Sequence, residues 1–490
     1  SYTRLLKENL NIQVVYDWTA STSDYDEKMS LCIGSNTIPE IMNVNATQYR
    51  ALLKYDMIQP LDKYFDDYAS DALKSYVKSG GEELQKCITN EDGELMAIPA
   101  PNLTAGGVNE MWIRQDWLDA LGLDVPRTWD ELAEVAKAFV TRDPDGNGEN
   151  DTIGILGPGN SDHMNAVGGN QFGLDPLFSC FQSYPQYWLK SEDGSVEYGS
   201  IQPETKTALE NISKLYADGV IDPETLVRSD SKEPLLAGKV GIFFGPWWCA
   251  YTFADTTLSG SADWRAYFTP LSEDGKYYTH MAEPTTQYVV ASKDCKNPEA
   301  AFKIINYIVA NEQKWVEEGV TSTEMGTGDF YPLYNTYDNA DEIEKSYEAL
   351  TKYLAGDISM DDVDFSIHKL LKNDMEAVTK LKKKPYDDFS LKYWNLDSDL
   401  AKTNLPRLVA IMVGDAPLVN EEYVPVYNAY NGQTETMEAK WANLKKMEEE
   451  TFAKIIMGKA DISEFDTFVK NWKNQGGDQI LKEINDELSK

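Results

Sequence analysis

The longest apolar stretch of the chain, Val240 to Ala254, is cut at Gly245-Pro246. A membrane-spanning helix needs roughly 18 or more uninterrupted apolar residues, so this run does not cross a bilayer. Its first part, Val240 to Phe244, is β-prone and ends at a backbone break, which predicts a buried strand. In open α/β sheets, ligands sit beyond the carboxyl ends of the strands. Trp247, directly after the break, is therefore the first candidate site residue, with Trp248 and Tyr251 in the same loop.

A chain of 490 residues exceeds what one hydrophobic core organises, so at least two compact units are expected. The opening alternates: a helix over Tyr2 to Leu10, a strand over Ile12 to Tyr16, a helix from about Asp24 to Ile33, and a strand over Ile38 to Val44. Such alternation predicts an α/β fold with a mostly parallel sheet. Asp17 and Trp18, then Asn43 and Asn45, fall at the strand ends. Further on, Val108 to Ile113 reads as a strand, and a short helix runs from Asp116 to Gly122. Thr128 with Glu131 forms a capping box ahead of Leu132, Val135, Ala136 and Phe139. A helix covers Pro203 to Asp218, a strand Tyr288 to Ser292, and a helix Glu299 to about Asn311. Two helices, Thr436 to Met457 and Ser463 to Trp472, end the chain, and Thr336 to Asn431 is helix-rich.

Charge narrows the function. Acidic residues outnumber basic ones by 81 to 45, a formal net charge of -36, which repels nucleic-acid backbones and anionic lipids. The cluster Lys380, Lys382, Lys383 and Lys384 beside Pro385 reads as a solvated helix end. Cys32, Cys87, Cys180, Cys249 and Cys295 form no CxxC pair. His163, His280 and His368 are too dispersed for a zinc site or a Cys-His dyad. Ser1 does not open a signal peptide, so a leader is expected only in a precursor.

The sharpest local motif is Asp143-Pro144-Asp145-Gly146-Asn147-Gly148-Glu149-Asn150-Asp151. Oxygen ligands fall at positions 1, 3, 5 and 9 of a calcium loop, the Glu149 carbonyl at 7 and glycine at 6. Position 12 is Gly154, where the usual bidentate glutamate is missing. A structural Ca2+ is expected, held by Asp143, Asp145, Asn147, Glu149 and Asp151. The alternative is a polar turn that needs no metal. No organic cofactor is expected.

Several segments, in order, resemble bacterial extracellular solute-binding proteins of the maltose-binding type, especially the large lipoproteins of Gram-positive bacteria. They are Ile38-Pro39-Glu40-Ile41, Trp112-Ile113-Arg114-Gln115-Asp116-Trp117-Leu118 and Pro126-Arg127-Thr128-Trp129-Asp130-Glu131-Leu132. Leu236-Ala237-Gly238-Lys239-Val240-Gly241-Ile242 leads to Gly245-Pro246-Trp247, then come Asn297-Pro298-Glu299-Ala300-Ala301 and the ending around Phe465, Trp472 and Gly476-Gly477. The resemblance implies a two-lobed periplasmic-binding-protein-like (type II) α/β fold with a hinge and a ligand cleft between lobes. Lobe 1 would take residues 1–108 and about 285–335, and lobe 2 residues 109–284 and about 430–490, with 336–429 of uncertain lobe. The bends are expected near Gly107 to Glu110 and Ala282 to Thr285. The implied function is the non-enzymatic substrate-binding subunit of an ABC importer, a monomer that delivers an oligosaccharide to membrane permease subunits. It would be an extracytoplasmic cell-surface lipoprotein whose N-terminal lipid anchor is absent from this chain. Some relatives carry calcium in a loop like Asp143 to Asp151.

Sugars need flat aromatic platforms rimmed by polar groups. The resemblance places Trp247 where maltose-type proteins stack a sugar on tryptophan. Trp18, Asn43 and Asn45 are further candidates, with turn capping as the alternative role for the last three positions. Among Phe178, Phe181, Tyr184, Tyr187 and Trp188 relatives offer a stacking residue, and Tyr187 and Trp188 are carried forward. Glu283 and Gln287 can meet hydroxyls, and Trp441 falls where relatives place another aromatic. Asp116 reads as a helix cap, and Arg114 as a residue of the hinge or of an ion pair. An acidic sugar is disfavoured by the lack of clustered arginines, although Arg114, Arg127 and Arg142 leave it open. The rival function is a glycoside hydrolase, which would need two facing carboxylates about 5 to 10 Å apart.

Overall fold

The computed structural model describes residues 2–159, 171–258, 262–317, 333, 337–365, 368, 370–381 and 399–489. Two compact units emerge: unit 1 is Ser1–Leu103 with Glu283–Glu342, and unit 2 is Thr104–Ala282 with Ile343–Lys490. The strands are β1 (Ile41–Val44), β2 (Ile98–Pro101), β3 (Glu110–Arg114), β4 (Ile153–Ile155), β5 (Trp188–Lys190), β6 (Val196–Tyr198), β7 (Val240–Gly245), β8 (Trp264–Tyr267), β9 (Tyr277–His280), β10 (Thr285–Ala291) and β11 (Tyr423–Val426). No helix among the described residues is long and apolar enough to cross a membrane.

Unit 1 is built on the sheet β1-β10-β2, with Ile41 opposite Ala291 and Val44 opposite Tyr288. Val289, Val290 and Ala291 of β10 are buried, as a central strand covered on both faces requires. Helix Ala46–Lys54 follows β1, and its Tyr49 ring stacks on Tyr288 at 4.4 Å. The pairing in this sheet is antiparallel throughout. The expected mostly parallel sheet is therefore wrong here: β10 enters between β1 and β2 after a long excursion through unit 2, and no helical crossover dictates its direction. A second correction concerns Ile12 to Tyr16, which forms no strand. Ile12 and Val14 lean on the unit 1 core while Val15 and Tyr16 are exposed, so the alternation is present without a ladder partner.

Unit 2 centres on the sheet β4-β7-β3-β8, in which only the β4–β7 pair is parallel. Helix Trp129–Thr141, opened by the Thr128–Glu131 capping box, covers this sheet. Gly241 permits the close approach: a Cβ there would stand 2.3 Å from the Phe139 ring. Helix Gln115–Leu121 stops at Gly122, whose left-handed φ of 65° a side chain would resist. The hairpin β5–β6 and the long helix Glu435–Ile456 complete a large core. Helices Leu371–Leu381 and Asp399–Val409, from the stretch expected to be helix-rich, belong to unit 2 and pack on each other. Lys380 lies in the last turn of the first of these, whereas His163 and Lys382 to Pro385 lie outside the described residues.

Candidate ligand-binding site

β7 runs buried through the sheet of unit 2, and Gly245 ends it where a Cβ would meet Cys249 Sγ at 2.5 Å. Pro246 turns the chain into the short helix Trp247–Cys249, which leads into helix Ala250–Leu258. This geometry brings Trp247, Trp248 and Tyr251 into one turn at the carboxyl end of the strand. Trp247 is 6% exposed, Trp248 is half-buried, and Tyr251 is 49% exposed. The Trp247 and Tyr251 rings meet edge to face at 6.5 Å. Gly414 backs the turn, because a Cβ there would lie 2.7 Å from the Trp247 carbonyl oxygen.

Helix Ala250–Leu258 packs against helix Asp399–Val409, and that contact brings Arg407 to Tyr251. Arg407 Nε donates to both carboxylate oxygens of Asp374, at 2.8 and 3.0 Å. Burial pushes the Tyr251 hydroxyl upward, partly offset by the Arg407 charge. Sequence reasoning missed Arg407 and Asp374, because only helix packing joins them to the aromatic turn.

The other candidates are distributed. Trp188 and Trp441 come together, 5.4 Å apart and nearly parallel, but inside the unit 2 core. Tyr198 lies against both, stacks on Trp472 at 4.8 Å and donates to buried Glu448. These rings hold helix Glu435–Ile456 on the hairpin. Tyr187 is buried as well, donates to the Met281 carbonyl at 2.5 Å and sits edge-on to His280.

In unit 1, Trp18 tilts on Tyr25 at 5.3 Å, and the Tyr25 hydroxyl donates to the Asn43 carbonyl at 2.9 Å. Asn45 caps helix Ala46–Lys54 in a capping box with Gln48, and its amide also donates to Asp26. Glu283 lies 3.9 Å from Arg50, and Gln287 is exposed on β10. Arg114 pairs with Asp116 at 2.5 Å, one of the two roles expected of it, whereas Asp116 lies in the first turn of helix Gln115–Leu121 and makes no side-chain cap there.

Unit 2 also buries a titratable cluster that sequence reasoning did not find. Asn109 donates to both oxygens of Asp175 at 2.7 Å, and His280 Nδ1 lies 3.8 Å from the same carboxylate. Burial drives His280 down to about 3 and Asp175 up to about 7, so near neutrality the histidine is uncharged. Glu110 is pushed well up by burial and then by the charge of Asp415, and Asp415 rises to about 9 through burial and then Glu344. Glu110 and Asp415 are both fully buried.

In the Asp143–Asp151 loop, Asp143 accepts from the Asn147 and Gly148 amides at 3.1 Å. Asn147 Nδ2 bridges Asp145 Oδ2 at 2.9 Å and Asp151 Oδ1 at 3.3 Å. Burial raises the Asp145 carboxyl, with Asp143 and Asp151 adding to the rise, while Lys239 approaches Asp151 at 2.9 Å. No group of three or more His, Cys, Asp or Glu among the described residues is arranged to hold a metal as it stands. Two carboxylate oxygens, one each from Asp145 and Asp151, face the Asn147 amide nitrogen.

Comparison with known proteins gives this geometry a context. Over 246 residues the chain is 30% identical to the fructooligosaccharide ABC transporter substrate-binding protein FusA of Streptococcus pneumoniae, a match covering 46% of this chain and 43% of FusA. The chain thus spans less than half of that relative's length. It is 24% identical to the polygalacturonan/rhamnogalacturonan-binding protein YtcQ of Bacillus subtilis, covering 94% of this chain and 82% of YtcQ. The solved human-milk-oligosaccharide (HMO)-binding ABC-transporter-associated solute-binding protein of Bifidobacterium longum infantis has the same fold, with a TM-score of 0.59 at 17% identity, covering 98% of this chain and 92% of that one. A FusA EF-hand mutant solved with fructo-nystose superposes with a TM-score of 0.56 at 19% identity, covering 100% of this chain and 95% of that one. The model of one family matches residues 3–315, well over half of the chain, and the protein belongs to that family, the bacterial extracellular solute-binding proteins.

Proposed function

We propose that this chain is the substrate-binding subunit of an ABC importer, and that it captures an oligosaccharide and hands it to membrane permease subunits. The observation that carries the reading is the aromatic turn after β7: a half-exposed Tyr251 against Trp247, with an anchored arginine beside it. An aromatic face suits the apolar side of a pyranose or furanose ring, and guanidinium N–H groups suit its hydroxyls. The names of FusA and YtcQ, both sugar-binding relatives, support the same ligand class. Closure by bending near Gly107 to Glu110 and Ala282 to Thr285, monomeric action and a lipid anchor at the cell surface complete the proposal. Trp18, Asn43, Glu283 and Gln287 are proposed as contributions from unit 1.

A hydrolase finds little support. The carboxyls most displaced from their usual range, Glu110 and Asp415, are sealed from solvent and from any substrate. We also propose calcium in the Asp143–Asp151 loop, held by the side chains of Asp143, Asp145, Asn147 and Asp151 and the carbonyl of Glu149. A hard cation taking six to eight oxygens suits this donor set once the Asn147 amide turns its oxygen inward. A thermal-shift panel of oligosaccharides, followed by chromatography of each sugar, tests the function. A raised melting temperature with the sugar recovered intact is expected. Shortened products would favour the hydrolase.

A further inference from the structure

We infer that the oligosaccharide is uncharged, because Arg407, the arginine beside the aromatic turn, is already neutralised by Asp374. The inference rests on the proposed function and narrows its substrate class. A sugar carboxylate is recognised best by an unpaired arginine, whose two parallel N–H groups match it bidentately. This chain has eight arginines. Arg407 is bound through Nε to Asp374, whose side chain is only 5% exposed, so the two charges cancel beside Tyr251. A uronate approaching the same guanidinium would place a second carboxylate against Asp374, and like charges at such range oppose binding. Neutral hydroxyls meet no such opposition, since the remaining guanidinium N–H groups donate to them as well as to carboxylates.

The other arginines offer no substitute. Arg114 and Arg127, which sequence reasoning left open as anion readers, are paired with Asp116 at 2.5 Å and Glu421 at 3.0 Å. Arg50 faces Glu283, and Arg4, Arg228 and Arg265 each have a carboxylate within 4.0 Å. Arg142 stands at the end of helix Trp129–Thr141, next in sequence to Asp143 of the loop proposed to hold calcium. The net charge of -36 adds a long-range term of the same sign, since it lowers the local concentration of polyanions.

Calorimetric titration of the intact chain tests this with two probe sets of matched length, neutral fructo- and galacto-oligosaccharides and oligogalacturonides, at low and physiological salt. A neutral sugar is expected to bind at least about tenfold more tightly than any uronide, with an affinity little changed by salt. Tighter binding of a uronide would overturn the inference while leaving the oligosaccharide reading intact. Heat from neither set would count against both. Asp374→Asn frees the Arg407 charge with little change of shape. It should shift the preference toward the uronides by about tenfold, and an unchanged preference in a variant that melts like wild type would also overturn the inference.

Discussion

The interior of unit 1 is almost wholly apolar: a three-stranded sheet, helices packed on it, and Tyr49 stacked on Tyr288. Unit 2 instead buries Glu110, Asp175, Asp415, Glu448 and His280 within and beside a larger aromatic core. Glu342 is the corresponding buried acid in the described residues of unit 1, and it stands at the unit boundary. The contrast teaches that the two units should answer differently to pH and to truncation of aromatics, although one chain threads both.

The largest effect expected comes from the aromatic stack. Trp188→Ala removes a buried ring between Tyr198 and Trp441 and should destabilise unit 2 by about 3–5 kcal/mol. Denaturant unfolding followed by fluorescence should show the loss, while sugar affinity in the folded fraction stays the same. Loss of affinity without loss of stability would return Trp188 to the ligand site.

Alkali should separate the units next. A carboxyl whose folded pKa is raised binds its proton more tightly in the native state, so its contribution is lost as pH rises through the folded value. Asp415 at about 9 therefore predicts that unit 2 weakens between pH 6.5 and pH 9, whereas Asp175 and Glu448, at about 7, lose most of their contribution between roughly pH 4 and pH 7. His280, lowered to about 3, acts in the opposite window, destabilising unit 2 as pH falls below about 6.5. The alkaline loss should reach roughly 3 kcal/mol, and Asp415→Asn should remove most of it. Calorimetric melting across that range checks this, and an equal pH response in unit 1 would break the comparison.

Calcium should act on unit 2 alone and more weakly. Chelation is expected to lower its stability by about 2 kcal/mol, and Asp145→Ala should abolish that sensitivity without changing sugar preference. Identical melting with and without chelator would leave the loop as a metal-free turn.

What the sequence made legible was local. The Thr128–Glu131 capping box, the stop at Gly122 and the strand ending at Gly245-Pro246 depend on neighbouring residues, and all three appear in the structure. Pairing was not legible: Ile12 to Tyr16 has the alternation of a strand, yet alternation reports a half-buried face and says nothing about a partner. The site was partly legible for the same reason. Trp247, Trp248 and Tyr251 are close in sequence and fall in one turn, whereas Arg407 reaches Tyr251 only because two helices distant in sequence pack together. Trp188 and Trp441 were misleading because a core and a sugar platform draw on the same residue type. The Asn45 side chain, read as ligand or cap, is committed to capping helix Ala46–Lys54.

The central claim is that the sugar meets the aromatic turn after β7. Tyr251 tests it best, since a ring that is 49% exposed can be truncated with little effect on the core, unlike the buried Trp247. Calorimetric titration of Tyr251→Ala with the tightest neutral oligosaccharide should show affinity reduced by about tenfold, or 1.4 kcal/mol, at an unchanged melting temperature. Wild-type affinity in that variant would contradict the account.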